Sequence, residues 1–284
     1  MPKSPKVSVL TPVYNTNPVH LREMIESILN QTFTDFEFLI LNDSPDNAEI
    51  EKIILEYADA DKRIVYLKND KNMGITPSRN KLLKKARGEY LAIFDHDDIS
   101  VPTRLEKEVA YLDSNPWVGV VSGWLQYFGT ESTIMSTPEH DMDIKINLTN
   151  KCSIAHTAAM IRKSVLTDNN IEYEEYYTPA EDYRLWARLI DLTHFYNLQE
   201  VLVKYRWLRN NTTTKQWGAM SAAHDSITTE LINKHPGYHM EYIKRVKGET
   251  LFRLRLFNVI PIIKIKNNTI YLFEFIPLFT LKWR

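Results

Sequence analysis

Four short apolar runs, each closed by a polar loop, constrain this chain more than any other feature. The first is Val7-Ser8-Val9-Leu10, ended by Thr11-Pro12 and a loop at 14–18, after which Leu21, Met24, Ile25, Ile28 and Leu29 fall at helical spacing. Residues 36–41 form the second run, closed by Asn42-Asp43-Ser44 and followed by Ile50, Ile53, Ile54 and Tyr57. The third is Ile64-Val65-Tyr66-Leu67; a turn at Asn72-Met73-Gly74 then leads into a helix over 75–86, broken by Gly88. Tyr90-Leu91-Ala92-Ile93-Phe94 completes the series. Strands alternating with helices at this length predict an α/β fold with a mostly parallel, Rossmann-like central sheet covered on both faces. Ligands bind such sheets beyond the carboxyl ends of the strands, and the polar segments 11–15, 42–44 and 95–98 all follow strand ends.

The last of these segments is Asp95-His96-Asp97-Asp98, three carboxylates where a buried strand meets solvent. One aspartate is explained by capping the following helix, but three repel each other unless a cation neutralises them. Oxygen ligands of this kind suit a hard divalent ion, Mn2+ or Mg2+. Neither Gly-x-Gly-x-x-Gly nor Gly-x-x-x-x-Gly-Lys-Ser/Thr occurs, so no glycine loop holds a pyrophosphate, and a cation on Asp95 and Asp97 would do so instead.

The single cysteine, Cys152, excludes an internal disulfide and reads as a structural thiol in a reducing compartment. The N-terminus carries no apolar stretch of signal-peptide length, and no apolar run approaches the ~20 residues that span a bilayer. The net charge of −1 hides an asymmetry: residues 241–284 hold nine Lys/Arg against three acids. A basic tail alternating with large apolar side chains fits an anionic membrane surface, and no nucleic acid partner is expected.

Six segments in order carry a resemblance: residues 7–15, Ser27-Ile28-Leu29-Asn30-Gln31-Thr32-Phe33, Leu41-Asn42-Asp43-Ser44, residues 72–80, Gly88-Glu89-Tyr90 with the acidic cluster, and Glu181-Asp182-Tyr183-Arg184-Leu185-Trp186. With them the chain resembles a family 2 glycosyltransferase of the GT-A fold, over residues 1–210. The resemblance implies an enzyme that moves a sugar from a nucleotide diphosphate sugar, UDP-linked, to an acceptor hydroxyl with inversion. It also implies that Thr11, Pro12, Tyr14 and Asp43 hold the nucleoside, and that Arg79 lies near the nucleotide or its phosphates. Asp97 would be the principal metal ligand and Asp95 would bind ribose or metal. Asp182 would be the base, with Glu181 orienting it or contacting acceptor.

Each residue also has a plainer reading. Asp43 could serve an Asx turn, Arg79 a solvated helix face beside Lys81, Lys84 and Lys85, and the Glu181-Asp182 pair a helix dipole. His96 is expected to point away from its neighbours and pack, and Asp98 to cap a helix beginning near Pro102 or Thr103. His156, before what reads as an edge strand, is either a contact for donor or acceptor or a satisfied structural histidine. Tyr205-Arg206-Trp207 resembles a family segment usually followed by histidine, but Leu208 stands here, which leaves Arg206 as a diphosphate contact.

Residues 211–284 are expected to form a C-terminal helical region and a basic amphipathic tail. In it Leu256 to Lys266 recurs, at an offset of 16, as Leu272 to Lys282, each copy interrupted by Ile-Pro. Such repeats resemble tails of bacterial enzymes that build lipooligosaccharide, and they could dock on a membrane, on the main domain or on a second subunit as a homodimer. Lacking Gln-x-x-Arg-Trp and membrane spans, the chain is expected to be non-processive, peripheral at the cytoplasmic face of the inner membrane, and to act on a glycan or lipid-linked acceptor. The competing reading is a noncatalytic sugar-nucleotide or glycan-binding module on the same scaffold; a nucleotidyltransferase is disfavoured because no glycine-rich basic loop follows the first strand.

Overall fold

The computed structural model describes residues 4–208 and 216–256 and the segments 263–266, 269–272 and 276–280, with side chains described as far as residue 247. Strand β1 (Val7–Val13) is followed by α1 (Pro18–Leu29), β2 (Phe36–Asn42), α2 (Ala48–Ala60), β3 (Ile64–Lys68), α3 (Ile75–Lys85) and β4 (Tyr90–Ile93). After them come β5 (Ile99–Ser100), α4 (Arg104–Ser114), β6 (Val118–Gly129), β7 (Ile134–Met135), α5 (Asp141–Leu148), β8 (Met160–Arg162), α6 (Lys163–Thr167), α7 (Glu181–Leu189) and β9 (His194–Trp207). The sheet order is β3-β2-β1-β4-β8-β6-β9-β5, with β7 paired to β6.

The four expected strands are parallel neighbours. Strand β1 runs further than expected, through Thr11-Pro12 to Val13. Leu10 O accepts from Phe94 N, so Pro12, of the same parity, faces the side where β4 has already ended and its missing N–H breaks no ladder bond. A second correction concerns β8, expected at an edge: it lies inside the sheet, antiparallel to both β4 and β6. Ala158, Ala159, Met160 and Ile161 are all wholly buried, which suits a strand covered on both faces.

Alternation along the strands feeds two cores. Val7, Val9, Phe36, Phe38 and Ile40 meet Leu21, Met24, Ile25 and Ile28 of α1, Ile50, Ile53 and Ile54 of α2, and Leu105 and Leu112 of α4. Leu10, Leu39, Leu41, Leu91 and Ile93 meet Leu82 of α3, Ile144 of α5 and Leu185, Trp186 and Leu189 of α7 on the other face. Helix starts are locally encoded: Asn17 accepts from Val19 N with Pro18 at the first position, and Asn47 accepts from Ile50 N.

Among the described residues the C-terminal region holds two helices, Trp217–Lys234 and Pro236–Leu256. Ile227 and Leu231 of the first are buried in the core beside α7. Segments Ile263–Lys266, Thr269–Leu272 and Ile276–Thr280 form a three-stranded antiparallel sheet. Of the two expected Ile-Pro interruptions, Ile276-Pro277 stands within a strand and Ile260-Pro261 lies outside the described residues.

Candidate active site

The ends of β1, β2 and β4 deliver their loops to one edge of the sheet. At β2, the Asp43 carboxylate is only 2% exposed and accepts three donors: Asn69 Nδ2 at 2.7 Å and Met73 N at 2.8 Å on Oδ1, and Gly74 N at 2.9 Å on Oδ2. Those backbone groups lie at the start of α3, where N–H groups lack intrahelical partners, and Gly74 takes φ +86° to present its own. The local turn belongs instead to Asn42, whose Oδ1 accepts from Ser44 N. Asp43 therefore builds the loop wall and keeps one acceptor position on Oδ2. Beside it, Thr11 is buried with no partner for its hydroxyl among the described residues, Pro12 is buried, and Tyr14 is half exposed.

At β4, Asp95 and Asp97 remain partly exposed while Asp98 is wholly buried. Asp98 does not cap a helix, a correction to the expectation: Thr103 occupies the N-cap of α4. Asp98 Oδ2 accepts from Thr157 Oγ1 at 2.9 Å and Oδ1 from Arg206 N at 2.8 Å, and Thr157 Oγ1 accepts from Asp95 N. Arg206 Nε donates to Asp97 O at 2.7 Å and Nη2 to Glu23 Oε2 at 2.6 Å, with the guanidinium over Phe128. These contacts make Arg206 a brace for the acidic loop. His96 is partly exposed, and its Nδ1 has no partner among the described residues.

Arg79 joins this loop to α7. Its Nη2 donates to Asp95 Oδ1 at 3.1 Å and its Nη1 to Glu181 Oε1 at 2.5 Å. At 8% exposure it is no solvated helix residue, which overturns the plainer reading. Neighbouring carboxylates outweigh burial and hold its guanidinium firmly charged. Asp182, one residue beyond Glu181, accepts from Tyr183 N and is pushed up to about 6, chiefly by burial and then by Glu181, with Arg79 opposing. A carboxylate poised there exchanges a proton near neutrality.

His156 Nε2 lies 2.8 Å from Tyr173 Oη, and the ring packs against Trp186. Burial and then Arg79 hold the imidazole well below its usual range, so it is neutral. Tyr173 is clamped in turn: Asn80 Nδ2 donates to its carbonyl and Asn80 Oδ1 accepts from its N–H, placing the phenol ring beside Arg79. Cys152 is partly exposed, its thiol pushed up by burial and by Asp182, and its Sγ contacts Ile154 O. Sequence reasoning missed Tyr173, Asn80, Thr157 and Glu23. Asn80 fell within a motif and Thr157 stands next to His156 in the segment before β8; Tyr173 and Glu23 are joined to the site by contacts that no local spacing announces.

Among the described residues no group of three His, Cys, Asp or Glu side chains gathers around one point. Asp97 and Asp95 can supply two carboxylates, and no other described side chain hydrogen-bonds the Asp97 carboxylate. Its pKa is raised by burial and by Asp95, so a cation would relieve a real repulsion. Two carboxylates, with water and substrate phosphate completing the shell, suit Mg2+ or Mn2+.

Comparison with known proteins identifies the family and the fold. The family model described as Glycosyl transferase family 2 matches residues 8–169. An uncharacterised glycosyltransferase of Methanocaldococcus jannaschii, MJ1057, is 37% identical over 207 residues, 71% of this chain and 71% of that protein. The putative glycosyltransferase EpsE of Bacillus subtilis is 34% identical over 214 residues, covering 72% and 74%. Among solved structures, S. aureus TarS 1–349 in complex with UDP-GlcNAc superposes with a TM-score of 0.65 at 20% identity, covering 81% of this chain and 72% of that one. The mannosyltransferase PcManGT of Pyrobaculum calidifontis, with GDP-Man and Mn2+, gives 0.57 at 12% identity, covering 89% and 81%. The architecture is that of the GT-A glycosyltransferases. With the family model spanning more than half the chain, this protein is a member of glycosyltransferase family 2.

Proposed function

We propose that the chain transfers one sugar per encounter from a UDP-sugar to a hydroxyl of a bacterial surface glycan such as lipooligosaccharide, with inversion. The observation that carries this reading is the chain of contacts Asp95, Arg79, Glu181, with Asp182 next in sequence: it links a candidate diphosphate loop to a candidate base. Asp97 and Asp95 would hold Mn2+ or Mg2+, which supplies positive charge to the diphosphate as it departs.

In the reaction, Asp182 takes the proton of the acceptor hydroxyl. The acceptor oxygen forms a bond to the anomeric carbon on one face as the bond to the phosphate oxygen breaks on the other, its electron pair leaving with UDP. Arg79 fixes Glu181, and Glu181 keeps Asp182 basic enough to receive the proton. Tyr173 lies under Arg79, and its partner His156, held neutral, adds no positive charge of its own to weaken the base. The loop walls raised by Asp43, with Thr11, Pro12 and Tyr14, would receive the nucleoside.

The surplus of basic residues in 241–284 supports a peripheral contact with the cytoplasmic leaflet, and among the described residues no helix is long and apolar enough to cross a membrane. Calorimetry of UDP binding with and without Mn2+ tests the site. Mn2+ should strengthen binding to the wild type by at least about tenfold and have no effect on Asp97→Ala. Full metal enhancement in Asp97→Ala would overturn the ligand assignment.

A further inference from the structure

At the far end of β6 and β9 three aromatic rings share one face. The parallel register sets Tyr127 beside Tyr205, Phe128 beside Arg206 and Gly129 beside Trp207. Side chains alternate along strands, so Phe128 and Arg206 pack together on one face while Tyr127, Tyr205 and Trp207 gather on the other. Ring centroids lie 5.4 Å apart for Tyr127 and Tyr205, 5.4 Å for Tyr127 and Trp207, and 6.2 Å for Tyr205 and Trp207. Gly129 opposite Trp207 offers no side chain to cover it, and at φ +104° with Trp207 O 2.7 Å from any added Cβ it does not accommodate one. Trp207 thus stays partly exposed at the strand end.

The cluster adjoins the acidic loop. Strand β5 pairs antiparallel with β9, Ile99 with Lys204 and Ser100 with Val203, which brings Asp98 level with Tyr205 and Asp97 level with Arg206. The two hydrogen bonds from Arg206 N to Asp98 and from Arg206 Nε to Asp97 O hold that register. The carboxylates of Asp98, Asp95 and Asp97 are near enough to add to burial in raising the Tyr205 phenol. Among the described residues nothing hydrogen-bonds the Tyr205 hydroxyl, and Tyr127 Oη has only Met135 Sδ at 3.3 Å.

Tyr127 and Tyr205 pack against the core on one side, and the partly exposed rings with polar edges that remain, next to the loop that would hold the departing diphosphate, suit a pyranose, whose ring carbons present C–H faces and whose rim presents hydroxyls. We infer that Tyr127, Tyr205 and Trp207 form a subsite that stacks a hexopyranose ring of the acceptor glycan, with the Tyr205 hydroxyl meeting its rim. The inference rests on the glycosyltransferase reading above and adds to it an acceptor platform.

Saturation-transfer NMR with a panel of methyl hexopyranosides (glucoside, galactoside, mannoside and N-acetylglucosaminide), without nucleotide, tests it directly. At least one glycoside should bind the wild type. Trp207→Ala should bind it about tenfold more weakly, whereas Trp207→Phe, which keeps a ring, should retain most of the affinity. Trp117→Ala, which removes a tryptophan 61% exposed elsewhere on the surface, should change nothing. Circular dichroism melting checks that each variant is folded, and Trp207→Phe compared with Tyr205→Phe reads the platform if Trp207→Ala does not fold. The inference is overturned if no glycoside binds the wild type, or if loss of the Trp207 ring leaves binding unchanged. Failure of the wild type to bind UDP with Mn2+ would instead count against the donor assignment, so the two outcomes are distinguishable.

Discussion

Arg104 and Arg79 are both buried arginines paired with carboxylates, and they meet them by opposite routes. Arg104 donates Nε to both oxygens of Glu108 at 3.2 Å, four residues along the same helix, and Nη2 to Ile93 O and Ala159 O. It ties α4 to β4 and to the start of β8, and both partners are wholly buried. Arg79 instead divides itself between Asp95 and Glu181, 16 and 102 residues away on two other elements. The first pair is a local contact that holds the scaffold under the acidic loop. The second is a long-range contact whose charge bears on the proton affinity of Asp182. Similar groups thus brace one helix in one place and, in the proposed function, tune a base in the other, according to whether the partner is part of the same helix or arrives from across the fold.

Removing a carboxylate from each cluster breaks the comparison most sharply. Asp182→Asn should lower the transfer rate by roughly 10²–10⁴-fold, measured as initial rates at saturating donor. Its urea midpoint should hold or rise, because a buried charge repelled by Glu181 is gone. Parallel losses of activity and stability would erase the distinction between the clusters.

Glu108→Leu should do the reverse. At pH 8 it leaves Arg104 buried without its counter-ion, costing about 3–5 kcal/mol in urea unfolding, while Arg104→Met with Glu108→Leu should recover most of that. The Glu108 carboxyl is pushed by burial up to about 7 from 4.5. Its folded pKa lies above its unfolded one, so the pH-dependent part of its contribution is complete below pH 4.5 and is lost as pH rises through 7, while the ion pair with Arg104 remains at pH 8. Glu108→Gln should flatten the stability profile across that window; an unchanged slope would assign it to another group.

The smallest effect sharpens the role of Arg79. Asp182 must be deprotonated to act as base, so the rate should fall as pH drops through about 6. Arg79 opposes the upward push on Asp182, and Arg79→Gln should move that acid limb to higher pH by roughly one unit. A limb that stays in place would limit Arg79 to holding Glu181.

Much of this was legible beforehand. The β1 to β4 segments and their helices follow from periods of two and 3.6 residues, and the helix starts at Asn17 and Asn47 from capping chemistry. The loops at Asp43 and Asp95 were located because parallel topology sends strand ends to one edge, whereas Glu181 and Asp182 came from the family resemblance. The errors share a cause. Asp98 reads as a cap because a helix follows it, but the groups that claim it, Thr157 and the N–H of Arg206, are 59 and 108 residues away. Strand β8 was expected at an edge, and its place between β4 and β6 depends on where the chain returns after α5.

The sequence by itself determined the alternation of elements, the polar edge and the presence of its carboxylates, since each depends on residues within a turn or two of one another. Only the tertiary structure decided what those carboxylates are doing: Asp43 gathering the N–H groups that open α3, Arg79 bound between Asp95 and Glu181, and three aromatic rings brought to one face by the pairing of β6 with β9. Proton affinity and ligand shape depend on burial and on neighbours from distant segments, and those are set by how the sheet closes.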